Sequence, residues 1–308
     1  MRTARRSASS RTPRSRSPTT STSATPRCTS RRGWGAVSLP EVESPAPPLI
    51  EVGGVSHAGR VRQVNEDAAL VSDTVLVVAD GMGGHDAGDL ASAAVVESFR
   101  PLTAYRWLER ADVEAAIDSA HRAVRSIAAR PGAAAGSTLA GAVACLVGGE
   151  PSWLVFHVGD SRVYRFDGER LERLTVDHSV VQEKVDAGEL TPAQAEAYPG
   201  KNVITRAVGL SSPETGPYAA DFSVRSMLSG DVLLVCSDGL TREVPDGGIE
   251  AVLRAQPDPQ EAAQALVDKA VQAGGRDNVT AVVAVVIEGG PVHDVDETTA
   301  PATRGGAS

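Results

Sequence analysis

Aromatic residues are scarce in this chain of 308: phenylalanine, tyrosine and tryptophan together make up 4%. Valine, alanine and leucine must therefore fill the core. Cysteine is scarcer still. Cys28, Cys145 and Cys236 lie far apart, with no C-x-x-C pair, which excludes a disulfide framework and points to a reducing compartment. Cys145 and Cys236 sit in apolar runs and read as core thiols. No apolar run approaches the ~20 residues that cross a bilayer, and no secretory signal core is visible, so a cytoplasmic protein without a membrane span is expected. Positive charge is missing from most of the chain. Residues 1–48 carry nine arginines and two acids, a net of +7, while the remainder carries −16. An acidic body lacks the basic face that a phosphate backbone demands, so no nucleic-acid partner is expected.

Residues 1–48 are rich in Arg, Ser, Thr and Pro and nearly free of apolar periodicity. They read as a disordered arm. An organellar transit peptide, or a start codon placed too far upstream, would give the same composition. The folded part is expected over 49–288, followed by a flexible tail at 289–308.

The folded part is organised around 75–85, VLVVADGMGGH. An apolar, β-branched run reads as a buried strand that stops at Asp80. The glycines beyond it let the backbone turn tightly and approach a ligand. The device recurs at 232–240, VLLVCSDGL, where the strand ends in Asp238 and Gly239. Two buried strands that each end in an acid suggest one site with paired carboxylates, which repel one another unless a cation lies between them. Hard oxygen ligands favour Mg²⁺ or Mn²⁺. Further acids fall at strand boundaries: Glu66 and Asp67 at a strand start, Asp160 at a strand end, and Asp277 just before the last apolar run. Taken singly, each is as well explained by a turn or a solvated loop.

Period-3.6 patterning predicts helices over 86–104 and 112–130, and again over 246–255 and 259–273. Strands are predicted over 137–147, 152–158, 163–166 and 170–174, linked as hairpins into one antiparallel sheet. Others are expected at 217–224, 231–236 and after 278. The polar stretch 177–199 reads as an insertion over a sheet edge, and 202–209 as a return to the body. Paired helices and hairpin strands fit an α+β sandwich, in which two antiparallel sheets lie face to face with a helix pair outside each (αββα). The strand-end carboxylates would gather at one rim.

In order, NED at 65–67, DGMGGH at 80–85, GDSR at 159–162, SDGL at 237–240 and DN at 277–278 resemble the metal-dependent Ser/Thr protein phosphatases of the 2C type, and TRAVG at 205–209 fits the bacterial branch. The resemblance spans about 52–287. It implies a binuclear Mn²⁺ or Mg²⁺ centre in which Asp80 bridges two ions and the Gly81 carbonyl helps bind one. Asp238 and Asp277 would hold the other, and Asp67 would act directly or through water, with Glu66 near. Asp160 resembles the ligand of a third, weaker metal. Arg62 matches the family's phosphate-binding arginine, and 178–202 a flap near the substrate. The implied reaction is attack of metal-activated water on a phosphoserine or phosphothreonine. Phosphorylated proteins, Ser/Thr kinases and their targets are the implied partners of a monomer. Many eukaryotic members carry a histidine two residues after the bridging acid. Here that position is Met82, which cannot donate a proton; His85 lies close but does not match, and a metal-bound water is the expected donor.

Two rivals follow from the same residues. Cys236 to Arg242 fits C-x5-R, the loop of thiolate-dependent phosphatases. Asp238 inside that loop would repel a phosphate dianion, and no basic residue precedes the cysteine. The other rival is a phosphatase fold that binds without catalysing, against which the intact Asp80, Asp238 and Asp277 argue. A nucleotide-binding loop is excluded: GMGGHD lacks the third glycine of G-x-G-x-x-G, and no GK[ST] occurs.

Overall fold

The structure, a computed structural model, describes residues 48–83, 87–130, 134–200, 202–210 and 219–289. The expectations for the arm at 1–48, the tail at 289–308 and His85 fall almost wholly outside these residues.

Among them the elements run β1 (Leu49–His57), β2 (Asp67–Val71), β3 (Val75–Gly83), α1 (Ala87–Phe99), a 3₁₀ turn (Arg100–Ala104), α2 (Arg110–Ala128), β4 (Ala135–Ser137), β5 (Leu139–Val147) and β6 (Glu150–Val158). They continue with β7 (Arg162–Phe166), β8 (Leu171–Arg173), α3 (Val180–Asp186), α4 (Pro192–Glu196), β9 (Asp221–Ser226), β10 (Val232–Cys236), α5 (Asp238–Thr241), α6 (Asp246–Ala255), α7 (Pro259–Ala273) and β11 (Val279–Glu288). One sheet has the order β1-β11-β10-β7-β8 and the other β2-β3-β5-β6-β9, with β4 added alongside β3. Every strand pair is antiparallel.

The central strands are apolar on both faces because both faces are covered. In β3, Val75, Val77 and Ala79 pack with α1 and α2, while Leu76 and Val78 turn toward the other sheet. In β11, Val279, Ala281 and Val283 pack with α6 and α7, while Val282, Ala284 and Val286 face inward. Between the sheets the small residues Ala140, Ala142 and Ala144 leave room for Trp153. The two sheets lie face to face with a helix pair outside each, the expected αββα sandwich. Burying each Val or Leu contributes roughly 1.5–3 kcal/mol, so a core poor in aromatics is still well supplied.

Four details differ from the sequence expectation. The strands from 137 to 174 do not form one sheet: β5 and β6 belong to one, β7 and β8 to the other. The Gly159–Ser161 turn carries the chain across, and Gly159 has a φ of 104°, which a side chain would strain. Thr138 interrupts the expected strand 137–147, because its backbone N–H and its hydroxyl both bond Asp80. β3 does not stop at Asp80 but runs on to Gly83, because 81–83 pair with β4, whereas 202–209 return to the body as expected, through isolated bridges from Ser137 to Val208 and from Ser179 to Ile204. The strand expected at 217–224 is observed at Asp221–Ser226, with 217 and 218 outside the described residues.

Candidate metal centre

Six acids meet at one rim of the sandwich: five come from strand boundaries, and Asp80 from within β3. Asp67 opens β2 and pairs directly with Asp80 on β3. Asp238 opens α5 straight after β10, and Asp277 lies two residues before β11. Glu66, Asp80, Asp160, Asp238 and Asp277 line a cleft of about 410 Å³, together with Arg62, Gly81, Met82, Thr138, Arg242 and Asn278. Asp67 lies just below it, buried among hydroxyls.

The backbone around the acids is fixed by short bonds. Thr138 Oγ1 accepts the Asp80 N–H at 3.0 Å and shares a 2.7 Å bond with Ser161 Oγ. A Cβ at Gly81 would collide with the Gly88 carbonyl, so only glycine permits this close approach. Asn278 clamps the loop that carries Glu66: its Oδ1 accepts the Glu66 N–H at 2.9 Å, and its Nδ2 donates to the Ala58 and Val64 carbonyls at 3.1 and 2.9 Å. Ser237 Oγ and Thr280 Oγ1 donate to Asp67 Oδ2 at 2.8 and 2.7 Å.

Charge is concentrated here at the expense of the acids' ionisation. Burial raises Asp67 to about 6, although the Thr280 and Ser237 hydroxyls pull the other way. Burial, then the charges of Asp238 and Asp67, hold Asp80 well above the ordinary carboxylate range. Asp238 is raised likewise, by burial and then by Asp160. Asp160 is raised by burial, with Arg242 opposing. Two carboxylate oxygens, Asp67 Oδ1 and Asp238 Oδ1, are buried without a hydrogen-bond partner. Buried acceptors rarely go unpaired. An all-oxygen donor set with two orphaned oxygens fits a hard dication such as Mn²⁺ or Mg²⁺.

Two arginines reach into the acids. Arg62 forks onto Asp277, with Nε to Oδ1 at 2.8 Å and Nη2 to Oδ2 at 3.1 Å. Arg242, one helical turn beyond Asp238, contacts Asp238 Oδ2, donates to Asp277 Oδ2 at 3.1 Å and approaches Asp160 Oδ2 at 3.8 Å. Sequence reasoning considered Arg242 only in the thiolate alternative. The i, i+4 spacing from Asp238 was the signal that could have placed it here. Thr138, Asn278, Ser237 and Thr280 were likewise not singled out individually, because their roles depend on contacts between distant strands.

The segment 178–202 stands beside the cleft and carries α3 and α4. Its two ends are tied together: the Val180 N–H donates to the Val203 carbonyl at 2.9 Å, and the Thr205 N–H to the His178 carbonyl at 2.8 Å. Asn202 lines both the acid cleft and a neighbouring hollow of about 350 Å³ under α3 and α4.

Other candidate groups resolve differently. Cys236 is fully buried, and burial pushes its thiol up to about 12, so it supplies no thiolate near neutral pH. His157, His178 and Asp221 cluster near the base of the flap. There the Gly159 N–H donates to His178 Nδ1 at 3.1 Å, and Nε2 lies 3.2 Å from both Asp221 Oδ2 and Arg206 Nη1. The Arg206 guanidinium beside that nitrogen and Asp221 already supplies a positive charge, which disfavours a metal ion there.

Known proteins share this architecture. The chain is 37% identical over 268 residues to the serine/threonine protein phosphatase PstP of Mycobacterium tuberculosis, an alignment that covers 82% of this chain and 50% of that protein. It thus spans about half the length of that relative. It is 33% identical over 241 residues to the serine/threonine phosphatase Stp of Listeria innocua, covering 73% of this chain and 91% of the relative. The crystal structure of the PstP catalytic domain with two manganese ions superimposes with a TM-score of 0.68 at 33% identity, over 78% of this chain and 99% of that one. A family model described as protein phosphatase 2C matches residues 54–274, most of the folded part, and the chain belongs to that family.

Proposed function

We propose that this chain hydrolyses phosphoserine and phosphothreonine in proteins, using water at a binuclear Mn²⁺ or Mg²⁺ centre. The observation that carries the reading is the pair of orphaned, buried carboxylate oxygens on Asp67 and Asp238, at a cleft that five acids line and beside which Asp67 is buried. Asp80 is the proposed bridge between the ions. Its central place supports this, since Asp238, Asp67, Asp160 and Asp277 all act on its charge. The Gly81 carbonyl would complete one ion's ligands, Asp238 and Asp277 would hold the other, and Asp67 and Glu66 would act directly or through water. When bound, such a centre neutralises phosphoryl charge and supplies a potent nucleophile from water near neutral pH.

The chain's own residues supply the rest. Both Asp277 oxygens are engaged by arginine. If Asp277 turns to a dication, Arg62 is released at the cleft mouth. There its planar fork suits two phosphoryl oxygens and orients phosphorus for in-line attack. Water adds to phosphorus as the bond to the serine or threonine oxygen breaks, and no covalent link to the protein forms. The flap at 178–202 would border the peptide on one side of the cleft.

The catalytic unit is proposed to span 49–288 and to act as a cytoplasmic monomer on phosphorylated proteins, Ser/Thr kinases and their targets among them. Among the described residues no helix is long and apolar enough to cross a membrane. The test is phosphate release by the full chain, with Mn²⁺, from matched phosphoserine, phosphothreonine and phosphotyrosine peptides. Release from the first two supports the reading. Release from phosphotyrosine alone, or from none by a folded, Mn²⁺-bound sample, overturns it.

A further inference from the structure

Arg242 occupies a place that the proposed chemistry leaves unexplained. It caps the C-terminus of α5, a turn after Asp238, and its guanidinium reaches three acids, Asp160, Asp238 and Asp277. It is about one-third exposed, so its charge approaches the cluster from the solvent edge and is not trapped beneath it. Asp160 is nine-tenths buried, and Arg242 is the first of the groups that favour its ionised form.

The charges can be counted. Fully ionised, as bound dications would hold them, Glu66, Asp67, Asp80, Asp160, Asp238 and Asp277 carry six negative charges, and Arg62 and Arg242 return two. Four negative charges remain, which two dications cancel. A third dication would leave an excess of positive charge in a buried site, at a cost that grows as the local dielectric falls. The oxygens divide in the same way: Arg242 takes Asp238 Oδ2 and leaves Oδ1 as the unpartnered one.

We propose that Arg242 is a built-in cation of this cluster, which holds the Asp160–Asp238 edge in place of a third metal and limits the site to two dications. This rests on the two-metal reading above. It predicts that the edge becomes a metal site once the guanidinium is removed.

The test is the number of Mn²⁺ ions bound per chain, measured by equilibrium dialysis with elemental analysis on the full chain. Wild type should saturate at two. The Arg242→Ala and Arg242→Gln variants should bind a third ion at least about tenfold more tightly than wild type does, as expected when a unit positive charge leaves a site of low dielectric. Gln keeps much of the volume and a hydrogen-bond donor, so a gain shared by both variants belongs to the charge. Three ions in wild type, or two in both variants with unchanged affinity, overturns the proposal. Should a variant not fold, the wild-type count alone decides between two and three. A wild-type chain that binds no Mn²⁺ would instead contradict the metal-centre reading, so the two failures are distinct.

Discussion

Asp67 and Asp80 are direct partners across the antiparallel pair β2–β3, so two carboxylates are fixed side by side on neighbouring strands. Asp67 is buried and Asp80 partly so, and each is raised first by loss of solvent and then by the charge of others in the cluster. Such a pair opposes folding unless something positive joins it. Asp80→Asn should therefore stabilise the chain in EDTA by about 1–3 kcal/mol while removing tight Mn²⁺ binding. Urea denaturation with and without Mn²⁺ checks both. A variant that is less stable in EDTA and still binds Mn²⁺ contradicts it.

The pH dependence should change with the metal. Asp67 is raised to about 6, and Asp80 and Asp238 are raised as well. In EDTA the folded chain holds protons that the unfolded chain releases above about pH 4, so the stability that Asp67 contributes is present at low pH and lost as pH rises through about 6, and the raised Asp80 and Asp238 add a loss of the same sign. His157 acts oppositely: burial lowers it to about 4, so its contribution is present above about 6.5 and lost as pH falls toward 4. With Mn²⁺ the acids are held ionised, and their contribution reverses sign. The gap in Tm between Mn²⁺ and EDTA should thus widen from about pH 5 to about pH 8. A gap that does not change with pH would contradict the cluster's role.

Asn278 joins the loops that carry Glu66 and Asp277. Asn278→Ala removes three hydrogen bonds from a buried position and leaves the Glu66 N–H and two carbonyls without that partner. A loss of about 2–4 kcal/mol is expected, with weaker Mn²⁺ binding. Urea midpoints and Mn²⁺ titration check this; unchanged values for both would show that the clamp is not needed.

Cys236 should matter to packing alone. Cys236→Ala should keep phosphatase activity within about threefold, and iodoacetamide should not inhibit the wild type, because a thiol raised to about 12 is protonated at neutral pH. Loss of activity in either experiment would revive the thiolate mechanism.

The sequence made the sandwich legible because its strands are apolar on both faces and its helices have a clear 3.6 period. The helices at Asp246–Ala255 and Pro259–Ala273 fall where the pattern places them. The acids were legible as strand-end residues, and the structure brings Glu66, Asp67, Asp80, Asp160, Asp238 and Asp277 to one rim. What was not legible depends on the third dimension. Nothing local says that β6 and β7 lie in different sheets, since a Gly-Asp turn suits a hairpin as well as a crossing. Nor does sequence spacing reveal that Thr280 and Ser237 share Asp67, 213 and 170 residues away. Arg242 was read against Cys236 rather than against Asp238, because the one-turn helix α5 was not foreseen.

The most direct test of the account is the rate of phosphate release from a phosphothreonine peptide by the full chain, stripped with EDTA and then titrated with Mn²⁺, beside Asp238→Asn. The account predicts no release in EDTA, full recovery with Mn²⁺, and a loss of at least about 10³-fold in the variant at the same Mn²⁺ concentration. Equal rates with EDTA and with Mn²⁺, or an Asp238→Asn variant as active as wild type, would contradict it.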